Sequence, residues 1–304
     1  DLGGTKCAVL LGDETSAVLG KRVFPTGLDT PPEPLLKQME TEISALLAEK
    51  GLRASDIQAL GVSCGGPLDS GRGVILSPPN LPLWDGVEIT RYFETRFAIP
   101  SFLQNDANAC ALAEWRFGAG RGCRNMVFLT FGTGMGAGII VGGMLLDGAN
   151  GNAGEIGHVR LTPRGPVGYG KPGSFEGYCS GGGLARLAEI RARERGLPRT
   201  EYTAKELARL AQEGDAFALS LWAECGSMLG RGLAILVDVL NPERIVIGSI
   251  FARCEPLLRG AMERAMNEEA LSSSLSVCRV VPAQLGEAIG DIASLSVAIQ
   301  GKSA

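Results

Sequence analysis

Two glycine-rich segments, Leu2–Gly12 and Gly132–Gly142, follow one pattern when the first is set over the second. Gly4 then coincides with Gly134, the final glycines also coincide, and an apolar triplet fills the same columns of both segments. Each segment is a glycine turn followed by an apolar run, which predicts a turn that leads into a strand. Because self-similarity of this kind indicates a repeated structural unit, we expect two similar lobes, each presenting a hairpin turn to a central cleft.

Apolar runs alternate with helical patterns along the chain, which is typical of the α/β class. Helices are predicted at Pro34–Lys50, Ile89–Phe97, Ala107–Phe117, Leu184–Arg195, Ala204–Gln212, Ala216–Leu240, Cys254–Ala270 and Gly290–Gln300. Strands are predicted at Ala8–Leu11, Ile57–Ser63, Ser101–Gln104, Met126–Phe131, Ala137–Val141, Arg244–Gly248 and Ser276–Pro282. The segment Gly151–Gly183 is rich in glycine and proline and is expected to be irregular.

The composition is that of a globular protein, with 45% hydrophobic and 20% charged residues among 304. The net charge is −4, and the absence of a basic stripe argues against a nucleic-acid partner. No apolar run reaches membrane-spanning length and no signal peptide is recognisable, so no membrane partner is expected. The eight cysteines form no C-x-x-C pair, which predicts reduced core residues in a cytoplasmic protein.

Asn105 and Asp106 follow the predicted strand Ser101–Gln104 and open an alanine-rich helical pattern. This places a carboxylate at a strand-to-helix junction, where it can accept a proton from a substrate hydroxyl. The alternative is a helix N-cap, since Asn and Asp are among the best capping residues.

The segment Asp1–Lys6, here the first glycine loop, is predicted to be a tight turn whose backbone N–H groups converge on an anion. Thr5 and Lys6 add a hydroxyl and a positive charge. The segment Phe131–Gly136, the second glycine loop, offers similar backbone chemistry. Neither loop matches the Walker pattern or opens a helix, and a plain hairpin turn is the alternative for either one alone. Together with the junction carboxylate, the two loops favour a clamp for nucleotide phosphates.

These two loops, the Asn105–Asp106 pair and the run Gly154–His158 together resemble the ROK family of sugar kinases and sugar-responsive repressors, in the family's order. The resemblance covers essentially the whole chain. It implies a two-lobed actin-like or ribonuclease H-like ATPase fold with a central cleft.

The implied lobes are a small one at residues 1–118 and a large one at residues 119–288. A C-terminal helix at about 289–304 would pack back onto the small lobe. Closure of the lobes would exclude water from the phosphate. The chain begins at Asp1 inside a predicted strand, so we expect residues upstream. The resemblance also implies a homodimer. The family's repressors carry a helix-turn-helix domain ahead of the first glycine loop, and residues 1–304 contain none, so this chain is not expected to read DNA.

Residue by residue, the resemblance makes Asp106 the general base that takes a proton from the sugar hydroxyl. The implied sugar-binding residues are Gly65, Gly66, Pro67, Asn80, Asn105, Asp106, Glu155, His158 and Glu176. Asp1 would hold the Mg²⁺ that accompanies ATP. The other implied ATP-binding residues are Gly3, Gly4, Thr5, Lys6, Gly132, Thr133, Gly134, Gly182 and Gly248. His158 is the only histidine; a lone histidine is usually structural, and the Gly154–His158 motif favours the functional interpretation.

The chain departs from the family at a cysteine motif, C-x-C-G-x-x-G-C-x-E, which many members use with the histidine to bind structural zinc. Val167, Tyr169 and Ser174 stand at the three cysteine positions, and Cys179 lies outside the pattern. Because a structural zinc site needs four N or S ligands, no zinc is expected. The side chains expected to order the segment by packing instead are Val167, Tyr169, Phe175 and Tyr178.

The leading hypothesis is therefore an ATP-dependent hexose kinase, with glucose as the first candidate and the 6-hydroxyl as acceptor. N-acetylmannosamine, allose, mannose and fructose are alternative substrates, because a few side chains at the pocket rim decide among them. A non-catalytic sugar sensor is a second hypothesis, which the intact Asp106 and both loops argue against. A third is another ATPase of the same superfold, such as an acetate-kinase-like or chaperone-like protein, which the Glu155 and His158 pair argues against.

Overall fold

The computed structural model describes residues 1–198 and 201–303 of the chain. In chain order the helices are α1 (Pro32–Glu49), α2 (Ile89–Phe97), α3 (Asp106–Phe117), α4 (Phe175–Tyr178), α5 (Gly181–Glu194), α6 (Ala204–Gln212), α7 (Ala216–Leu240), α8 (Ile250–Glu269), α9 (Ser272–Val277) and α10 (Ile289–Ser303). The strands are β1 (Lys6–Gly12), β2 (Val18–Pro25), β3 (Leu60–Cys64), β4 (Leu68–Asp69), β5 (Val74–Leu76), β6 (Asp85–Glu88), β7 (Ser101–Asn105), β8 (Met126–Leu129), β9 (Ala137–Val141), β10 (Met144–Leu145), β11 (Val167–Gly168), β12 (Lys171–Pro172), β13 (Arg244–Ile247) and β14 (Arg279–Pro282). The predicted α/β class is confirmed.

The chain divides into two compact units. The first comprises Asp1–Arg121, Leu145–Ala153 and the part from Leu285 to the end of the described chain, and the second comprises Gly122–Met144 and Gly154–Gln284. Helix α10 belongs to the first unit, and residue 304 of its predicted range lies outside the described residues. Within residues 1–198 and 201–303, every helix is too short or too polar to cross a lipid bilayer.

One sheet of the first unit has a parallel pair and an antiparallel pair, and a second, antiparallel sheet has the order β4, β5, β6. β3 runs parallel to β7, and β1 runs antiparallel to β2. Between the pairs, Leu2 bridges Cys7 of β1 in the antiparallel sense and Cys64 of β3 in the parallel sense. The order across the unit is therefore β2, β1, Leu2, β3, β7.

The sheet of the second unit has the order β10, β9, β8, β13, β14. β8 pairs antiparallel with β9 and parallel with β13, and β13 pairs parallel with β14. This is the sequence of neighbours found in the first unit, with β8 in the place of Leu2 and β9 in the place of β1. The repeat predicted from the two glycine turns is thus confirmed in the strand topology of each unit.

Three predicted element boundaries are wrong in an informative way. α5 begins at Gly181, where Ser180 accepts a hydrogen bond from the Gly183 N–H and caps the helix. α8 begins at Ile250, one turn before the predicted start. Ser272–Val277 is the helix α9 and only Arg279–Pro282 is a strand, because α9 packs against α7 and α8, and tertiary packing overrides the local preference of the segment predicted as a strand.

Glu114 in α3 is a completely buried carboxylate. Its Oε2 accepts a hydrogen bond from the Ala119 N–H at 2.7 Å, and its Oε1 accepts one from the Leu285 N–H at 2.9 Å. The Glu114 carbonyl oxygen also accepts from Gly118 and Gly120 N–H groups at 3.0 and 2.9 Å, which ends the helix. A carboxylate suits this place because it is an acceptor on both oxygens. Glu114 therefore ties the end of α3 to the segment that leads into α10.

Replacing Glu114 with glutamine turns one acceptor into a donor that faces a backbone N–H group. We expect Glu114→Gln to lower the free energy of unfolding by about 1.5–3 kcal/mol, the usual contribution of a hydrogen bond to a charged group. Urea unfolding followed by circular dichroism measures this loss. Glu14→Gln, on an exposed residue of the same unit, should change it by less than about 0.5 kcal/mol. Equal losses in both variants would contradict the assignment.

Candidate functional site

The Asn105–Asp106 pair lies at the junction of β7 and α3. Asn105 has extended backbone angles, and its side-chain oxygen accepts a hydrogen bond from the Ala107 N–H at 2.9 Å. Asp106 is the first helical residue and is exposed, and its Oδ1 accepts from the same N–H at 2.8 Å. The cap interpretation therefore applies to Asn105, which leaves Asp106 with an exposed carboxylate whose direction is set by the start of the helix.

The parallel register of β3 and β7 brings two segments of the candidate site together. Cys64 lies opposite Asn105, so Gly65 and Gly66 leave β3 beside the end of β7. A Cβ atom on Gly66 would lie 3.2 Å from the Asn105 Nδ2, and a Cβ on Gly65 would lie 3.3 Å from both amide atoms of Asn80. These four residues, Gly65, Gly66, Asn80 and Asn105, form what we call the amide wall. Pro67 follows it through a cis peptide bond.

The first glycine loop lies next to this amide wall. A Cβ on Gly4 would lie 2.7 Å from the Cβ of Asn80, so only a glycine allows the loop to approach so closely. The loop closes through a hydrogen bond from the Gly3 N–H to the Lys6 carbonyl at 3.1 Å. The side chains of Thr5 and Lys6 are exposed. In the first unit, the structure thus brings a glycine turn suited to phosphates and a wall of amides into contact.

Two thiols lie near the Asp106 carboxylate. The pKa of Cys64 is raised to about 12, first by burial and second by the negative charge of Asp106. The pKa of Cys110 is raised for the same two reasons in the same order, with Glu114 as a third contribution. Both thiols therefore stay uncharged at neutral pH, and Asp106 is the acidic group that faces outward at this end of α3.

The second glycine loop lies between the first turns of two helices. The Gly181 N–H at the start of α5 donates to the Gly132 carbonyl at 2.8 Å, and the Ile250 N–H at the start of α8 donates to the Phe131 carbonyl at 2.9 Å. Helix N-termini carry partial positive charge and N–H donors suited to anions. The loop itself leads into a strand, as predicted, and the helix termini beside it were not evident from the sequence.

Gly182 and Gly248 occupy different surroundings in the second unit. Gly182 lies in the first turn of α5, where a Cβ would be 3.3 Å from the guanidinium of Arg186. Gly248 follows β13, is buried, and donates its N–H to the Leu129 carbonyl at 3.0 Å. Arg186 itself donates through its Nε to the Val167 carbonyl at 2.9 Å.

Glu176 connects the second glycine loop to the Glu155–His158 turn. Its Oε2 accepts a hydrogen bond from the Met135 N–H at 3.0 Å. A Cβ on Gly157 would lie 2.2 Å from the Met135 carbonyl and 3.4 Å from the Glu176 Cβ. The side chains of Glu155 and His158 are exposed. These contacts bring the candidate sugar ligands Glu155, His158 and Glu176 close to the second glycine loop.

The side chains expected to order the segment in place of zinc are only partly buried as a set. Phe175 and Tyr178 are buried, as predicted, whereas Val167 and Tyr169 are 41% and 68% exposed, so their predicted packing role is wrong. The reason is local: Tyr169 lies in the turn between the two-residue strands β11 and β12 with φ of 45°. Its ring meets His158 edge-on, with centroids 6.1 Å apart.

Ser174 stands at the third cysteine position of that motif and makes two hydrogen bonds. Its hydroxyl accepts from the Gly177 N–H at 3.1 Å, which caps α4, and donates to the Gly168 carbonyl at 3.2 Å. A fully buried hydroxyl thus joins α4, which carries Glu176, to the β11–β12 hairpin.

A cavity of about 570 Å³ lies inside the first unit and is lined by residues of β1, β3, α1 and α10. Most of its lining is apolar, with Val9, Leu46 and Val62 as examples. Asp1 is the one candidate site residue in the lining. This volume is therefore separate from the amide wall and the Asn105–Asp106 pair.

The close approach at Gly157 can be tested directly. We expect Gly157→Ala to lower the free energy of unfolding by about 1–3 kcal/mol, the usual cost of overpacking, because the new methyl group would displace the Met135 carbonyl. Gly260→Ala is the matched control, since a Cβ there meets only Arg264 Nη1 at an ordinary 3.6 Å. Thermal unfolding measures both. A Gly157 variant as stable as the Gly260 variant would show that the turn is less tightly packed than described.

The sequence model of the ROK family matches residues 1–300. The glucokinase of Thermotoga maritima is 31% identical over 310 residues, covering 98% of this chain and 95% of that protein. The N-acetylglucosamine repressor of Escherichia coli O157:H7 is 28% identical over 290 residues, covering 93% of this chain and 70% of the repressor.

Among solved structures, a ROK family glucokinase from Streptomyces griseus, in complex with glucose and AMPPNP, is 30% identical with a TM-score of 0.76. The alignment covers 98% of this chain and 97% of that one. The match to the family model over nearly the whole length, together with these relatives, shows that this chain belongs to the ROK family.

Proposed function

We propose that this protein is an ATP-dependent sugar kinase that phosphorylates a hexose, with glucose and its 6-hydroxyl as the first candidate. The observation that carries the proposal is the exposed Asp106 carboxylate at the start of α3, beside the amide wall. The glucokinases among the relatives support ATP and a hexose as substrates.

In this proposal Asp106 acts as the general base. As the sugar hydroxyl oxygen attacks the γ-phosphorus of ATP, Asp106 accepts the hydroxyl proton. A bond forms between the sugar oxygen and phosphorus, the bond from phosphorus to the bridging β–γ oxygen breaks, and ADP leaves. Phosphoryl transfer depends mostly on alignment and on neutralising charge. The capping hydrogen bonds that direct Asn105 and Asp106 therefore matter as much as the basicity of the carboxylate.

The proposed sugar ligands are the amide wall with Pro67 in the first unit, and Glu155, His158 and Glu176 in the second. Amide and imidazole groups can donate to or accept from the several hydroxyls of a sugar, and carboxylates can accept from them. Because Glu176 also accepts a hydrogen bond from the second glycine loop, we expect sugar binding and nucleotide binding to be coupled through it.

The two glycine loops are the proposed ligands for the phosphates of ATP. The second loop fits this role because the N-termini of α5 and α8 lie beside it, and Gly182 and Gly248 border the same region. In the first unit Gly3, Gly4, Thr5 and Lys6 contribute N–H, hydroxyl and ammonium groups.

A Mg²⁺ ion fits the Asp1 carboxylate, because Mg²⁺ in phosphoryl-transfer sites takes one or two protein carboxylates together with phosphate and water oxygens. When bound, the ion would supply positive charge that neutralises the phosphates of ATP. The Asp1 carboxylate would hold and orient it.

Substrates other than glucose, namely N-acetylmannosamine, allose, mannose and fructose, remain alternatives within the same mechanism. The second candidate function is a sugar sensor without catalysis, which the 28% identity to the N-acetylglucosamine repressor favours. The exposed Asp106 and the two glycine loops support the kinase instead, because a sensor needs no general base.

A substrate panel tests the kinase proposal. With ATP and Mg²⁺, we expect ADP release with at least one of glucose, mannose, allose, fructose and N-acetylmannosamine, and the largest kcat/KM with glucose. Product analysis should place the phosphate of glucose on the 6-oxygen. Calorimetric sugar binding without turnover of any sugar would favour the sensor.

Asp106→Asn tests the proposed base. We expect kcat to fall about 10²–10⁴-fold, the usual contribution of a general base, while the affinity for sugar changes little because the amide keeps the shape of the side chain. Steady-state kinetics and calorimetry measure the two quantities. Asp85→Asn, on an exposed residue of the same unit, is the control. An Asp106→Asn variant with wild-type kcat would rule out Asp106 as the base.

A further inference from the structure

Along the chain, one short segment that belongs to the first unit lies between the two segments of the second unit. This segment, Leu145–Ala153, which we call the excursion loop, packs with the first unit. The loop is closed by a hydrogen bond from the Ala153 N–H to the Asp147 carbonyl at 3.1 Å. A Cβ on Gly151 would lie 3.8 Å from the carbonyl of Leu68, just beyond Pro67. The excursion loop therefore lies near the segment that follows the amide wall.

The Asp147 side chain connects this loop to β7, the strand that leads to the Asn105–Asp106 pair. Its Oδ1 accepts a hydrogen bond from the Gln104 Nε2 at 3.0 Å. Gln104 is the residue before the Asn105–Asp106 pair and is 9% exposed. Asp147 is only half-buried, yet its carboxylate meets the buried amide on the strand that carries the proposed base.

The side-chain oxygen of Gln104 accepts hydrogen bonds from two groups at the junction of β7 and α3. Its Oε1 accepts a hydrogen bond from the Asn105 N–H at 2.8 Å and one from the Asn108 Nδ2 at 3.1 Å. Asn108 is 2% exposed, and its Oδ1 has no hydrogen-bond partner among the residues described. The contact with Gln104 is therefore what orients the Asn108 amide.

The direction of the Gln104 amide decides whether this arrangement holds. A carboxylate accepts but cannot donate, so Asp147 selects the orientation in which the Gln104 NH₂ group faces the excursion loop. The Gln104 oxygen then faces Asn105 and Asn108. In the opposite orientation, the NH₂ group of Gln104 would face two other donors, and the Asn105 N–H would lose its acceptor.

We propose that Gln104 and Asp147 are positioning residues for the Asn105–Asp106 pair, with the Asp147 carboxylate setting the amide orientation that holds the backbone of Asn105. This inference rests on the proposed kinase function. It assigns a role to the excursion loop, which reaches the catalytic pair through one hydrogen bond. Since small displacements of reacting groups can cost about 10²-fold in rate, the effect should be visible in kcat.

Exchanging the carboxylate and the amide between the two positions tests the proposal. Gln104→Glu keeps an acceptor for Asn105 but sets two carboxylates against each other, so we expect kcat to fall about 10- to 100-fold. Asp147→Asn keeps an oxygen but no longer selects one orientation, so a smaller loss is expected. In the double variant Gln104→Glu/Asp147→Asn, the new amide at position 147 can donate to the new carboxylate at position 104, and kcat should return to within about threefold of wild type.

The readout separates positioning from a general structural role. A positioning role predicts that kcat falls while the KM for ATP and the thermal unfolding midpoint change little. Gln38→Glu, on an exposed residue of α1 in the same unit, controls for the added charge. Wild-type kcat in Gln104→Glu would overturn the proposal, as would a double variant no more active than Gln104→Glu.

The failure of this proposal is distinguishable from that of the kinase function. If the wild-type protein turns over none of the sugars, the kinase proposal fails on its own. The positioning role of Gln104 and Asp147 is then tested by measuring glucose affinity with calorimetry, because Asn105 also belongs to the amide wall. The same order of variants is expected there, with Gln104→Glu weakest and the double variant restored. Equal affinities in all four proteins, or no glucose binding by the wild type, would overturn the positioning role as well.

Discussion

The parallel pairing of β3 with β7 is the constraint on which the candidate site of the first unit depends. Parallel strands end at the same edge of a sheet, and the register that sets Cys64 opposite Asn105 brings Gly65 and Gly66 next to the Asn105 side chain. A register shift of one residue would turn every side chain of β7 to the other face. The contact of Gly66 with Asn105 in the amide wall follows from this pairing. The local cap of α3 sets the direction of Asp106, and Glu114 secures the far end of the same helix.

The second unit has the same strand topology, but different groups follow its parallel strands. β8 and β13 are parallel and end together, with Leu129 opposite Ile247. The second glycine loop follows β8, and the start of α8 follows β13, so the loop meets a helix N-terminus because both strands end at one edge. A carboxyl edge of parallel strands thus carries amides and a carboxylate in one unit, and a glycine loop with helix N-termini in the other. Ligand sites of α/β proteins commonly lie at such edges.

Several parts of the site were predictable because their signals are local. The strand-to-helix junction at Asn105–Asp106 follows from an apolar run, two capping residues and an alanine-rich pattern. The capping interpretation is confirmed for Asn105, and the role of Asp106 as a general base stays a prediction. α5 begins at Gly181, before its predicted start at Leu184. Glycines are poor helix formers, and only the cap by Ser180 and the contact of Gly181 with the second loop show that they begin the helix. Gln104 and Asp147 had no sequence signal, because their partnership joins residues far apart in the chain.

The sequence by itself determined the α/β class, the repeated glycine turn, the membership suggested by the motifs and the residue types available for chemistry, since these depend on local pattern and composition. Only the tertiary structure decided which candidates touch: Asn80 with Gly4 and Gly65, Glu176 with Met135, and Asp147 with Gln104. It also decided that Tyr169, at a cysteine position of the zinc motif, points outward beside His158. The physical reason is that hydrogen bonds and close contacts between distant segments depend on strand register and helix docking, which no local pattern encodes.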